Sequence, residues 1–145
     1  MSITMQELIR ECIEQDVWAV VGFSADRRKY GNIVYHDLGR AGYRVHAVHP
    51  AGGTVQGVPV YPSVLELPER VGVVNLVVPA DVGLQVVEQC ARAGLQRVWM
   101  QPGAQSSRLI DRCRQLGLKA VYNACAMVEK RRRVRPQASG PDSGI

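Results

Sequence analysis

The chain has no C-x-x-C pair, no H-E-x-x-H motif, no G-x-G-x-x-G loop and no apolar run approaching the roughly 18 residues of a membrane span. Each absence removes a class of protein. Without paired cysteines, the four thiols (Cys12, Cys90, Cys113 and Cys125) read as free thiols of a reducing compartment, neither zinc ligands nor a dithiol redox centre. His36, His46 and His49 share no metal-ligand spacing, which argues against a metal centre. Residues Met1 to Asp16 carry Glu and Asp among their apolar residues and lack the apolar core of a secretory signal, so the expected location is the cytoplasm. No internal repeat of solenoid period is visible.

What is present suits one globular domain. A chain of 145 residues can bury roughly two thirds of its unfolded surface without a metal or disulfide staple. The net charge of +5 hints at nucleic acid, but Lys130, Arg131, Arg132, Arg133 and Arg135 carry much of it. Taking those residues from the 18 basic ones, and Asp142 from the 13 acidic ones, leaves 13 against 12. The part before them is nearly neutral, which argues against a broad polyanion-binding face. The basic run lacks aromatic interleaving, so binding of RNA, DNA or an acidic membrane surface is a minor reading. We expect residues 1–130 to form the domain and residues 131–145, basic and then rich in Pro, Ser and Gly, to form a disordered tail.

Apolar periodicity alternates between two kinds. Leu8, Ile9, Cys12 and Ile13 have helical spacing within Ile3 to Glu14, whereas Val17 to Gly22 is a short apolar run of the kind that forms a buried strand. A polar, turn-rich stretch follows, then a helix capped at Asn32 and closed by Gly39 and Gly42, then a strand over Tyr43 to Val48. Further strands are expected at Val58 to Tyr61, Val73 to Val78, Arg97 to Met100 and Leu118 to Tyr122. Helices are expected at Ser63 to Leu67, Asp81 to Ala93, Ser106 to Leu116 and Met127 to Arg132. Such alternation predicts an α/β, three-layer, Rossmann-like fold with a mostly parallel sheet of about five to six strands.

In such a sheet ligands bind beyond the carboxyl ends of the strands. Here those ends read Gly22-Phe23-Ser24, His49-Pro50, Val78-Pro79-Ala80, Gln101-Pro102-Gly103 and Asn123-Ala124-Cys125. The first loop combines Gly22, the Ser24 hydroxyl and the charges of Arg27, Arg28 and Lys29. It leads through Tyr30 and Gly31 to helix-start amides at Asn32 and Ile33, a set that suits a pyrophosphate as well as ordinary turn chemistry. The position at a helix N-terminus favours the anion. At the end of the second strand an NAD site usually places an acid for the ribose hydroxyls; His49 and Pro50 stand there, followed by Ala51, Gly52 and Gly53. NAD is disfavoured, and NADP lacks its customary cation.

The ordered set V-V-G-F-S, R-R-K-Y-G-N, Y-R-V-H-A-V-H-P, G-V-P-V-Y-P-S, L-V-V-P-A, W-M-Q-P-G and N-A-C-A-M-V-E, spanning Trp18 to Arg132, resembles the coenzyme A-binding protein family. That family shares its fold with the N-terminal domain of the succinyl-CoA synthetase α subunit. The resemblance implies that Gly22, Ser24, Lys29 and Tyr30 lie by the CoA phosphates and that His49 and Pro50 lie near the adenosine. Val78, Pro79 and Ala80 would lie beside the pantetheine, with Gln101 and Gly103 bordering the same cleft. Members commonly carry Asn at the place of His49 and a basic residue soon after the following Pro, where this chain has Ala51. The candidate cofactor-binding set is therefore Gly22, Phe23, Ser24, Arg28, Lys29, Tyr30, Gly31, Asn32, His49, Pro50, Val78, Pro79, Ala80, Gln101 and Gly103.

Competing roles exist for several of these. Pro79 and Pro102 also serve as strand terminators, and His49 suits a turn as well as a cleft. Cys125 reads as a structural cysteine because no base adjoins it. The strand ends offer no nucleophile with its base and no paired carboxylates, so the expectation is non-catalytic binding of CoA or acyl-CoA as a small-molecule ligand. An NAD(P)-binding or reductase-like module is the alternative.

Overall fold

The computed structural model describes residues 3–133. Helix α1 (Met5–Ile13) opens the chain, and its start is fixed by Thr4 and Glu7. Thr4 Oγ1 accepts the Glu7 amide at 3.1 Å, while Glu7 Oε1 accepts the Thr4 amide at 2.8 Å, a reciprocal box that satisfies two first-turn donors. Then follow β1 (Val17–Val21), α2 (Tyr30–Arg40), β2 (Arg44–Val48), β3 (Gly53–Val55), β4 (Val58–Tyr61) and a 3-10 turn (Val64–Glu66). The second half contains β5 (Val73–Leu76), α3 (Ala80–Arg92), β6 (Arg97–Met100), α4 (Ser107–Gln115), β7 (Lys119–Val121), α5 (Ala126–Glu129) and a last 3-10 turn (Lys130–Arg132).

The strands form one seven-stranded sheet in the order β3-β4-β2-β1-β5-β6-β7, parallel throughout except that β3 runs antiparallel to β4. The fold is the expected α/β Rossmann-like one, with one strand more than the upper expectation. The extra strand is β3, read from sequence as a turn. It pairs with β4 across a two-residue loop in which Gln56 and Gly57 both have positive φ, 52° and 80°, the geometry of a type I′ hairpin. A Gly-Thr-Val strand and a Gln-Gly turn give weak signals for that structure.

Alternate strand residues feed two cores, which is why the strands are apolar along their whole length. Trp18, Val20, Val73 and Trp99 pack with Ile9, Ile13, Val34 and Leu38 from α1 and α2. Ala19, Val21, Val74 and Leu76 pack with Val86, Val87, Cys90 and Leu109 from α3 and α4. Both indoles are fully buried, and each satisfies its N–H: Trp18 donates to the Gln15 carbonyl at 3.1 Å and Trp99 to the Ala124 carbonyl at 2.9 Å.

Two departures from the sequence expectation bear on the site. Helix α2 starts at Tyr30, so Asn32 lies inside its first turn instead of capping it; the Asn32 amide is spent on the Ser24 carbonyl, 2.8 Å away. Strand β5 stops at Leu76, leaving Val77 and Val78 in the loop toward α3. The first residues of the basic run lie against the domain. Lys130 pairs with Asp37 at 3.1 Å, and Arg132 donates to Gln6 Oε1 at 2.9 Å. Arg133 pairs with Asp16 and places its guanidinium 4.3 Å from the Tyr43 ring centroid. The expected disorder of the rest of the tail lies outside the described residues. Among the described residues, no helix is long and apolar enough to cross a membrane.

Candidate functional site

Helix α2 leaves β1 toward one face of the sheet, and α3 leaves β5 toward the other, so a crevice opens between the carboxyl ends of these neighbouring strands. Two glycines close its base. Gly22 has φ +105°, and a Cβ there would lie 2.3 Å from the Val77 carbonyl oxygen. A Cβ on Gly31 would lie 1.9 Å from the Gly22 carbonyl oxygen. The glycines thus let three backbone segments touch one another.

The loop between β1 and α2 is tied by its own polar groups. Ser24 Oγ accepts the Asp26 amide at 3.0 Å, which leaves its hydroxyl proton free to donate. Asp26 Oδ1 accepts the Arg28 amide at 2.9 Å, and both Asp26 oxygens take bonds from the Arg28 guanidinium, at 3.1 and 3.2 Å. Those side-chain and backbone bonds from Arg28 hold the Asp26 carboxyl below the usual carboxylate range. At the cap of α2, Lys29 makes no side-chain bond to the first turn. The Asn32 and Ile33 amides, expected from sequence to face a ligand, both donate to the Lys29 carbonyl at 3.1 Å instead, which leaves the Tyr30 and Gly31 amides as the first-turn donors for another acceptor.

These groups border a cavity of about 720 Å³ lined by Gly22, Phe23, Ser24, Ala25, Arg28, Lys29, Tyr30, Gly31, His49, Ala51, Gly52, Val55, Val60, Val77 and Val78. A second cavity of about 570 Å³ adjoins it, lined by Tyr30, Val77, Val78, Pro79, Gln101, Pro102, Gly103, Ala104 and Cys125. Tyr30, Val77 and Val78 belong to both, so the two form one cleft with a cationic half and a mainly apolar half. The buried Gln101 floors the second half and joins distant elements. Its Oε1 accepts the Ala126 amide at 2.8 Å and Asn75 Nδ2 at 3.3 Å, and its Nε2 lies 3.6 Å from Cys125 Sγ.

Of the residues singled out from sequence, Gly22, Phe23, Ser24, Arg28, Lys29, Tyr30, Gly31, His49, Val78, Pro79, Gln101 and Gly103 line this cleft. Asn32, Pro50 and Ala80 do not. Asn32 is buried beneath the loop, Pro50 is exposed on a turn, and Ala80 packs against the α3 core. Val77, Pro102, Ala104 and Cys125, and on the cationic side Ala25, Ala51, Gly52, Val55 and Val60, also line the cleft and were outside the candidate set. Pro102 and Cys125 stood at expected strand ends, which was their signal, whereas Val77 was expected inside a strand and Val55 and Val60 lie within β3 and β4.

Other features draw attention away from nothing better. A depression of about 740 Å³ between α3 and α4 is lined by Glu88, Arg108, Asp111 and Arg112, of which Arg112 and Glu88 pair with each other, Arg112 Nη2 donating to Glu88 Oε1 at 3.0 Å. Burial pushes the Cys12 and Cys90 thiols up to about 12 and the Cys113 thiol to about 11, so these three are poor nucleophiles at neutral pH. Among the described residues, no group of three or more His, Cys, Asp or Glu side chains could hold a metal ion.

Known proteins are similar to this chain in sequence and in shape. The family model of the CoA binding domain matches residues 16–131. The acetate–CoA ligase (ADP-forming) I of Archaeoglobus fulgidus is 32% identical over 119 residues, covering 75% of this chain and 17% of the ligase. The chain therefore spans about a sixth of the length of that relative. Among solved structures, a conserved hypothetical protein of Pyrococcus furiosus is 40% identical with a TM-score of 0.74, covering 77% of this chain and 97% of the other. A hypothetical protein of Pyrococcus horikoshii is 31% identical with a TM-score of 0.81, covering 90% and 92%.

Proposed function

This chain belongs to the CoA binding domain family, and from that premise we propose that its cleft binds coenzyme A or an acyl-CoA in the cytoplasm without itself catalysing a reaction. The observation that carries the proposal is the pairing of two unlike halves across a shared wall. One half offers the uncapped first turn of α2 with Lys29, Arg28 and the Ser24 hydroxyl, donors suited to a pyrophosphate. The other offers Val77, Val78, Pro79, Pro102 and Ala104, a surface suited to a long, weakly polar arm such as pantetheine. A CoA molecule has both parts in that order.

Non-catalytic binding is supported by the make-up of the walls. Among the described residues lining the cleft there is no carboxylate, and the His49 imidazole and the Cys125 thiol border different halves. Activation of a carboxylate or transfer of a phosphoryl group needs more machinery than these walls supply.

Isothermal titration with CoA, acetyl-CoA, NAD and NADP at fixed salt tests the reading. Saturable binding of the CoA species that weakens about tenfold or more in Lys29→Ala is expected, since a charge-assisted bond to phosphate is worth about that much. Clear NADP binding without CoA binding would replace the proposal with a dinucleotide-binding function.

A further inference from the structure

We propose that the cleft reads the pyrophosphate and the pantetheine arm of its ligand but not the phosphate on the ribose, so that CoA and dephospho-CoA bind with similar affinity. The inference rests on the CoA reading above and adds a specificity to it.

In sheets of this topology the ribose of a bound nucleotide lies at the carboxyl end of the second strand, where an acid suits free hydroxyls and a cation suits a ribose phosphate. Here that end is the turn His49-Pro50-Ala51-Gly52, closed by a 2.9 Å bond from the Gly52 amide to the His49 carbonyl. The Ala51 amide donates to His49 Nδ1 at 3.0 Å. An N–H aimed at Nδ1 leaves the proton of a neutral ring on Nε2, so His49 offers one uncharged donor. Ala51 and Gly52 add no polar side-chain atom to the wall, and Val55 and Val60 add apolar surface. A ribose hydroxyl finds one partner in such a place. A doubly charged phosphate finds no ion pair to offset the loss of its hydration.

The cations are elsewhere. Among the described residues lining the cleft they are Arg28 and Lys29, both on the loop that leads into α2. Arg28 is already held by Asp26 through two side-chain bonds, and Arg27, on the same loop, does not line the cleft. The positive charge and the Tyr30 and Gly31 amides therefore stand together at the start of α2.

The test is calorimetric titration of the full chain with CoA and with dephospho-CoA at about 0.15 M ionic strength, repeated with Ala51→Arg. A charge-assisted phosphate contact is worth about tenfold or more in affinity. The expected result is a difference below tenfold for the unaltered chain and a preference for CoA that grows by about tenfold in Ala51→Arg, a surface substitution whose folding is checked by its melting curve. A preference for CoA of tenfold or more in the unaltered chain would overturn the inference and leave the CoA reading standing. Binding of both ligands with no gain in a folded Ala51→Arg would place the ribose away from β2 and overturn it too. Binding of neither ligand would overturn both.

Discussion

Asp26 sets the charge that the loop can present. Its carboxylate neutralises Arg28, one of the two cleft cations, while its Oδ1 also accepts the Arg28 amide and so shapes the turn. Asp26→Asn preserves an acceptor for that amide and removes a negative charge from the neighbourhood of a bound phosphate. CoA affinity is expected to rise by about three- to tenfold at low ionic strength and by less at 0.15 M, because this exposed pair is screened. Titration at two salt concentrations checks it; unchanged affinity at both would mean that Asp26 does not oppose the ligand. Residue identities near strand ends were readable from sequence because position alone places them at the crevice, as for Ser24, Lys29 and Gly103. Asn32 misled because its type favours an N-cap, whereas here it braces the loop from below. Gln101 was found as a border of the cleft, but its bonds to Asn75 and Ala126 join residues about 25 positions away and leave no local trace.

At the scale of elements, strong apolar runs announced themselves. Strands β4 and β6 occupy the expected residues, and the helices α3 and α4 fall within one residue of theirs at each end. Strand β3 was missed because pairing with β4, not its own composition, makes it extended. The helices dock through cysteines as well as aliphatic side chains, since Cys12 on α1, Cys90 on α3 and Cys113 on α4 are all fully buried. This has a consequence for pH. In the unfolded chain these thiols ionise near pH about 8.5; in the fold their values are about 12, 12 and 11. Their stabilising contribution is complete below pH about 8.5 and is lost as pH rises from there through the folded values, with a slope of about 1.4 kcal/mol per pH unit for each thiol. Urea unfolding between pH 8.5 and about 10.5 is expected to show that decline, and Cys113→Ala is expected to lessen its slope by about one thiol's share. An unaltered slope would mean that Cys113 ionises as readily in the fold as out of it.

At the scale of the molecule, the sheet order brings the ends of β1 and β5 together, and the helices on opposite faces open the crevice between them. Lys130, Arg132 and Arg133 tie the end of the described chain to α2, to α1 and to the turn before β1, through Asp37, Gln6 and Asp16. Sequence showed the fold and most of one wall of the site. The joining of the two halves at Tyr30, Val77 and Val78 emerged only when β5 ended at Leu76 and freed the next two residues to form the partition. A single ligand spanning both halves is the central claim, and amide shift mapping by NMR during a CoA titration tests it most directly. The expected result is concurrent, saturable shifts at Gly22 to Gly31 and at Gln101 to Ala104 with Ala126. Shifts confined to one half, or concentrated between α3 and α4, would contradict it.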